Sequence, residues 1–220
     1  MRIADEQGDR KTHRSPLGRA YPAEMTERRV LLLDVMGTLV RDPFYEDMPR
    51  ALGMSFDELL RAKHPTAWLD FEHGHIDEPT FLRSFFADGR AYDHGAFVDA
   101  VVGGFAWLEG IEPLLAALAE RGVEMHALSN YPIWWRHIER KLGLSRFLRW
   151  SFVSCETGVR KPDARAYLGA AETLGVAPGA CVFVDDVERN CRAARALGMD
   201  AIRFEGAKRL RVALAERGMG

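Results

Sequence analysis

Cysteine is scarce in this 220-residue chain: there are three, Cys155, Cys181 and Cys191, and no two of them form a CxxC pair. An odd set without a pairing motif reads as small apolar side chains in a reducing compartment, not as a disulfide framework. An excess of charge of either sign is also missing, since 30 Lys and Arg stand against 32 Asp and Glu with a pI near 6.4. Nothing in that balance announces a nucleic-acid or membrane partner. No run of about 18 apolar residues occurs, so no helix is expected to span a membrane. Internal repeats and low-complexity tracts are absent as well. Residues 1–29 lack the apolar run of a secretory signal, and Asp5, Glu6 and Asp9 argue against an organelle transit peptide. They read as a flexible polar leader, and the expected location is the cytoplasm.

What is present is a chain long enough for one large domain, or for a core domain with an insert. It can bury roughly 70% of its unfolded surface and needs no staples. The most informative stretch is Val30 to Val40. Four consecutive apolar residues, Val30 to Leu33, read as a short strand buried on both faces, as in a parallel sheet. The run ends on Asp34, and Gly37-Thr38 then turns the chain. A carboxylate at the carboxyl end of such a strand stands where open α/β sheets hold their ligands.

From Asp42 to Phe105 the pattern is helical. Ser55 caps an apolar-periodic run (Phe56, Leu59, Leu60), Glu78 to Phe86 repeats the pattern, and Phe97 to Phe105 makes a third helix candidate. The stretch reads as a helical insert of roughly sixty residues. Strand–helix alternation then resumes. Helices are expected from Glu112, from Ile133 to Leu142, from Pro162 to Leu174, from Glu188 to Leu197 and from Lys208 to Arg217. Strands are expected over Val123–Leu128, Trp150–Ser154, Cys181–Val184 and Ala201–Phe204. This implies an α/β fold, a doubly wound parallel sheet with helices on both faces. The expected division is a leader over 1–29, a core over 30–41 and 106–220, and an insert over 42–105.

Four polar clusters therefore fall at or just beyond strand ends: Asp34, Ser129-Asn130, Lys161-Pro162 and Asp185-Asp186. Right-handed crossovers bring the carboxyl ends of a parallel sheet to one edge, so these groups are expected to converge. Closely packed carboxylates repel and need a cation. Oxygen ligands without His or Cys suit Mg²⁺, which usually binds substrate phosphate as well.

In order and spacing, the four segments resemble the four motifs of the haloacid dehalogenase-like hydrolase superfamily, over residues 30 to about 204. The resemblance implies that Asp34 is a nucleophile toward phosphorus and that Lys161 neutralises charge on it. It implies that Gly37, Thr38, Ser129, Asn130 and Lys161 bind phosphate, and that Asp34, Met36 (by its carbonyl), Asp185 and Asp186 form the Mg²⁺ site. The insert would be the cap over the substrate. One position departs from the pattern. Phosphatases of the superfamily carry a second Asp two residues after the nucleophile, as general acid and base, and this chain has Met36. That role contributes roughly 10²–10⁴-fold, so a slow or specialised enzyme is expected. Asp185-Asp186 argues against the dehalogenases, which have neutral groups there. Phosphonate hydrolases use a cap lysine, for which Lys63 is the candidate and a surface lysine the alternative.

The narrower segments Arg41 to Asp47, Lys63-His64-Pro65, Asp88-Gly89-Arg90 and Ser129 to Trp134 resemble the FMN hydrolases of plant chloroplasts, which also have Met in place of the second Asp. The expectation is a Mg²⁺-dependent phosphatase for a small phosphorylated metabolite, FMN to riboflavin as the best single assignment. Another phosphorylated metabolite, or a pseudo-enzyme binding a phosphorylated ligand or partner, are the alternatives. Trp68, Phe71, Phe44, Tyr45, Trp134 and Trp135 are candidates to stack on a flavin, with one or two expected to touch it. His64, Asp70 and Glu72 are candidates for the proton role. His73-Gly74-His75 reads as a polar turn, His126 as a hydrogen-bonded interior residue and Cys155 as inert.

Overall fold

A computed structural model of the protein describes residues 13–14, 20–22, 25 and 28–219. Most of the leader expected over residues 1–29 lies outside the described residues. Within it, His13–Arg14 and Ala20–Tyr21 pair as two short antiparallel strands.

Five parallel strands form the sheet: β1 (Val30–Leu33), β2 (Glu124–Ser129), β3 (Arg149–Val153), β4 (Cys181–Asp185) and β5 (Asp200–Arg203). Their order is β3-β2-β1-β4-β5. The chain leaves the central β1 toward β2 and β3, then returns to the other side for β4 and β5. The crevice at the carboxyl ends of β1 and β4 is therefore a topological switch point, where ligands of open α/β sheets bind. All four residues of β1 are fully buried, and they alternate between two cores. Leu31 and Leu33 face one, and Val30 and Leu32 face the other. Cys181 to Val184 divide in the same way. Burial on both faces is the physical reason why these strands are uninterrupted apolar runs.

The insert holds five helices: α1 (Asp47–Ala51), α2 (Phe56–Ala62), α3 (Ala67–Glu72), α4 (Glu78–Ser84) and α5 (His94–Gly104). Ser55 caps α2 in a reciprocal box with Glu58, as its sequence suggests. Two of the five, α1 and α3, were not expected. Pro49 inside α1 and the single turn and a half of α3 leave too little periodicity to read. The core helices are α6 (Ile111–Glu120), α7 (Trp135–Leu142), the short α8 (Ser154–Thr157), α9 (Ala164–Leu174), α10 (Glu188–Ala196) and α11 (Ala207–Ala215). Among the described residues no helix is long and apolar enough to cross a membrane.

The insert does not have a core of its own. Phe71, Phe81 and Phe97 belong to the same buried cluster as Leu31 and Leu33 of β1. Trp134, at the start of α7, carries the connection: its ring lies 5.4 Å from both Phe71 and Phe81, edge-on to each. Its indole N–H donates to Glu78 of α4. Gly74 sits so close to the Cys155 carbonyl that an added Cβ would come within 2.4 Å of that oxygen. The insert is thereby fixed against the catalytic edge of the sheet, which is the feature that matters for the site.

Phe81 is fully buried and stacks on Phe71 with ring centres 4.5 Å apart. Phe81→Ala is expected to lower the unfolding free energy by roughly 3–5 kcal/mol. Leu60→Ala, at a position 44% exposed, should change it by no more than about 0.5 kcal/mol. Urea denaturation of the two variants checks the difference, and equal midpoints would show that the aromatic cluster is not shared core.

Candidate active site

The sheet order brings the four polar clusters to one edge. Asp34 follows β1 directly, and its backbone N–H donates to the Val184 carbonyl at 2.9 Å, which ties the end of β1 to β4. Lys161 comes from the loop before α9. Its ammonium lies 2.7 Å from Asp34 Oδ1 and 2.7 Å from Asp185 Oδ2, and all three residues are buried. Asn130, one residue beyond β2, fixes that lysine by its backbone. The amide Nδ2 donates to the Lys161 carbonyl at 2.9 Å, and the Lys161 N–H donates to Oδ1 at 2.8 Å.

The two adjacent aspartates of the β4 end differ. Asp185 is completely buried, and both its oxygens are taken up inside the protein. The Val187 N–H donates to Oδ1 at 2.8 Å, and the Asn190 amide donates to both oxygens at 3.0 and 3.1 Å. Asp186 is only half-buried, and its side chain meets the Thr38 hydroxyl at 3.5 Å. The carboxylate oxygens of Asp34, Asp185 and Asp186 lie within 4.8 Å of one another. Among the described residues this is the one trio of acidic, His or Cys side chains so placed. Three hard oxygen donors around one point fit a small divalent cation such as Mg²⁺.

Electrostatics follow from that crowding. Burial, aided by the charges of Asp185 and Asp186 and opposed by Lys161, pushes the Asp34 carboxyl up to about 7. Burial alone would lower the Lys161 pKa, but Asp34 and Asp185 outweigh it and hold the ammonium above its ordinary value. Asp186 is raised by burial and by the Asp185 charge. A divalent cation would relieve the repulsion on all three carboxylates.

Gly37 and Thr38 have clear parts in this geometry. The Gly37 N–H donates to the Val40 carbonyl at 2.8 Å, and its φ of +76° is one that other residues rarely adopt. A Cβ there would also come within 2.8 Å of Asp186 Oδ2. The Thr38 hydroxyl donates to Asp34 Oδ2 at 3.1 Å and accepts from the Asp186 N–H at 3.1 Å. Both residues therefore build the turn beside Asp34 and Asp186. Ser129 ends β2 with a buried hydroxyl that has no partner among the described residues.

A cavity of about 150 Å³ opens between this edge and the insert. Met36 and Asn130 line it on the sheet side, and Phe44, Trp68 and Phe85 on the insert side. Of the stacking candidates, Phe44 and Trp68 reach it. Phe71 and Trp134 are core, Tyr45 is 60% exposed, and Trp135 packs on Trp150 at 5.0 Å. Lys63 lines the same cavity, which corrects its reading as a surface lysine. The insert folds its helix end over the sheet, and a sequence alone could not show which way that end faces.

The three candidates for the proton role separate as clearly. The His64 Nδ1 accepts from the N–H groups of Thr66 and Ala67, and Asp70 is half-exposed beside His75. Glu72 alone lines the cavity, but Trp68 donates to its Oε1 at 2.5 Å and Arg160 lies 2.7 Å from its Oε2. His126 is interior, with Ser151 Oγ 2.6 Å from Nδ1 and Glu124 3.1 Å from Nε2. Burial pushes the Cys155 thiol up to about 11, away from reactivity. The sequence did not reveal Asn190, whose only signal was an amide five residues after Asp185, nor Arg160, which stands next to Lys161.

Residues 29–198 match the haloacid dehalogenase-like hydrolases. The chain is 44% identical over 206 residues to flavin mononucleotide hydrolase 1 of Arabidopsis thaliana, covering 92% of this chain and 84% of that protein. It is 32% identical over 111 residues to a glyceraldehyde 3-phosphate phosphatase of Methanopyrus kandleri, covering 47% of each. Among solved structures it is similar to a haloacid dehalogenase-family enzyme of Bacteroides thetaiotaomicron in complex with magnesium and inorganic phosphate. The TM-score is 0.65 at 19% identity, over 82% of this chain and 96% of that one. With Asp34, Lys161 and the acidic pair at one sheet edge and a match across most of its length, the chain belongs to the haloacid dehalogenase-like hydrolases.

Proposed function

We propose that the protein is a Mg²⁺-dependent phosphatase that hydrolyses FMN to riboflavin and phosphate, with Asp34 as the nucleophile. The observation that carries this reading is one juxtaposition: the Asp34–Lys161–Asp185 ion triad with Asp186 beside it, and a cavity walled by Phe44, Trp68 and Phe85 that is lined by Met36, two residues after Asp34, and by Asn130, which holds the Lys161 backbone. The likeness to the Arabidopsis FMN hydrolase extends over 92% of this chain, insert included, and supports the choice of FMN. A planar, aromatic leaving group suits aromatic walls.

In this reading Asp34 attacks phosphorus as the P–O ester bond breaks, the departing riboflavin oxygen takes up a proton, and water then hydrolyses the phospho-aspartate to phosphate and free Asp34. Lys161 offsets the charge that collects on Asp34 and the phosphoryl oxygens. The Ser129 hydroxyl, buried and unpartnered among the described residues, would donate to one of those oxygens. Asn130, bound on both sides to the Lys161 backbone, keeps the ammonium in line. Mg²⁺, held by Asp34, Asp186 and the Met36 carbonyl, would supply Lewis-acid polarisation of the phosphoryl group. Asp185 acts one step back, positioning Lys161. The insert, fixed over the cavity, excludes water from the leaving group. In this scheme residues 42–105 form the cap and residues 30–41 and 106–220 the core.

Phosphate release with Mg²⁺ from FMN, p-nitrophenyl phosphate, sugar phosphates and nucleotides tests the assignment. FMN is expected to be preferred, and preference for another ester would overturn the substrate but not the chemistry. Asp34→Asn should cut turnover by roughly 10⁴-fold or more while the protein stays folded by circular dichroism. Wild-type rates in that variant would remove Asp34 from the mechanism.

The two adjacent aspartates should separate by measurement. Asp186→Ala is expected to weaken Mg²⁺ binding, read by titration calorimetry with the metal alone, by at least about 10-fold, with little change in stability. Asp185→Ala leaves the buried Asn190 amide without its partner and Lys161 with Asp34 alone, and should lower stability by roughly 1–3 kcal/mol. The reverse pattern would exchange the two roles.

A further inference from the structure

Tyr131 is a buried side chain that the scheme above does not use. It follows Asn130 directly and lines the cavity together with Asn130 and Met36. Its ring is 3% exposed, and its hydroxyl has no hydrogen-bond partner among the described residues. Most buried donors are satisfied, and an orphan beside a ligand cavity asks for an explanation. The side chain is held firmly. The Tyr131 N–H donates to Ser154 Oγ at 3.0 Å, and that hydroxyl donates in turn to the Glu72 carbonyl at 2.6 Å. The ring lies edge-on to Trp68 at 5.9 Å and to Phe105 at 6.4 Å.

The cavity's position sets what such a donor could meet. The phosphoryl group belongs beside Asp34 and Lys161, and the rest of the ester in the cavity. On that reading the bond that breaks would lie toward the part of the cavity lined by Met36 and by Asn130, with Tyr131 next in the chain. Met36 offers no donor there. The Asn130 amide is bound to the Lys161 backbone on both sides. Resting on the phosphatase reading of this site, we infer that the Tyr131 hydroxyl is the hydrogen-bond donor to the leaving-group oxygen of the phosphoester. It stabilises the negative charge that develops there as the P–O bond breaks. Burial, with the charges of Asp42 and Glu72, keeps the phenol protonated, so the donor persists across the working pH range. A neutral phenol also adds no charge beside the carboxylates, which a carboxylic acid at the same place would do once ionised.

The test compares two leaving groups in Tyr131→Phe, which removes one oxygen and keeps the ring. Riboflavin leaves as a strongly basic alkoxide and needs a donor, whereas p-nitrophenolate is stable alone. For FMN, kcat/KM is expected to fall by about 10²-fold. For p-nitrophenyl phosphate it should change by only a few-fold, which also shows that the variant is folded. No loss with either substrate would overturn the proposal and leave the hydroxyl to an ordered water. An equal loss with both would overturn it as well, by placing Tyr131 on the phosphoryl group or the architecture. Asp42 lines the same cavity, and its carboxyl is raised by burial. A leaving-group-selective loss in Asp42→Asn and not in Tyr131→Phe would transfer the role to Asp42. If wild-type enzyme hydrolyses p-nitrophenyl phosphate and another alkyl phosphate but not FMN, the FMN assignment fails. The same comparison on that alkyl ester then decides the role of Tyr131.

Discussion

The structure depends on one buried ammonium. Lys161 lies between Asp34 and Asp185, 2.7 Å from each, with almost no exposure to water. Without it two carboxylates would face each other in a low-dielectric edge, and either would shed its charge. The lysine arrives on a loop, which by itself could not place an ammonium so closely. Asn130 supplies the precision through two hydrogen bonds to the lysine's own peptide groups. Asn190 and the Val187 N–H hold Asp185 from the other side, and Thr38 holds Asp34. Four chain segments thus meet at one charge, one from each of the four motifs. Their spacing reflects this meeting point more than any local preference.

The insert holds a fixed position beside that edge. It does so by sharing the core of the sheet domain. Trp134, planted at the start of α7, lies among Phe71, Phe81 and Phe97 of the insert. Ser154 reaches up to the Glu72 carbonyl, and Lys141 to the carbonyls of Val102 and Gly103. An insert bound at so many points keeps its cavity walls in register with the catalytic edge. Specificity and chemistry are then parts of one packed unit, because the residues that shape the cavity also form the core.

The sheet was legible in the sequence for a physical reason. Val30–Leu33 and Cys181–Val184 are buried on both faces and so carry no polar residue until the strand ends. The polar residues that follow then stand out, which is why Asp34, Ser129-Asn130 and Asp185-Asp186 could be picked as a converging set. The insert was less legible. Its helices are short, and α3 is defined by what Trp68 and Phe71 pack against, not by a long periodic stripe. Lys63 looks like any charged residue at a helix end until the fold turns it inward. The orphaned Tyr131 hydroxyl could not be read at all, since the absence of a partner is a property of the surroundings. Asp185 and Asp186 are identical in type and adjacent, and only their exposure and partners separate them.

Met36 makes physical sense once charges are counted at the edge. With all three ionised, as a bound cation would favour, Asp34, Asp185 and Asp186 would carry three negative charges against the single positive charge of Lys161. The difference is what one divalent cation supplies. A fourth carboxylate at position 36 would stand next to this balanced set, and repulsion would raise the pKa values of its neighbours. A thioether adds no charge and fills the cavity wall with a polarizable, apolar surface suited to an aromatic ring. The loss is a proton donor, and the cavity is lined by the phenol of Tyr131, inferred above to be a donor, and by the Asp42 carboxyl, whose pKa burial raises. Both line the cavity, Asp42 near enough to Asp186 to feel its charge. Replacing a charged acid by a thioether while leaving the donor work to the cavity wall moves that work from the nucleophile's own turn to residues that also choose the substrate. Catalysis would then be tied to the identity of the leaving group, and a site built this way trades breadth of substrate for a quieter electrostatic balance at the nucleophile.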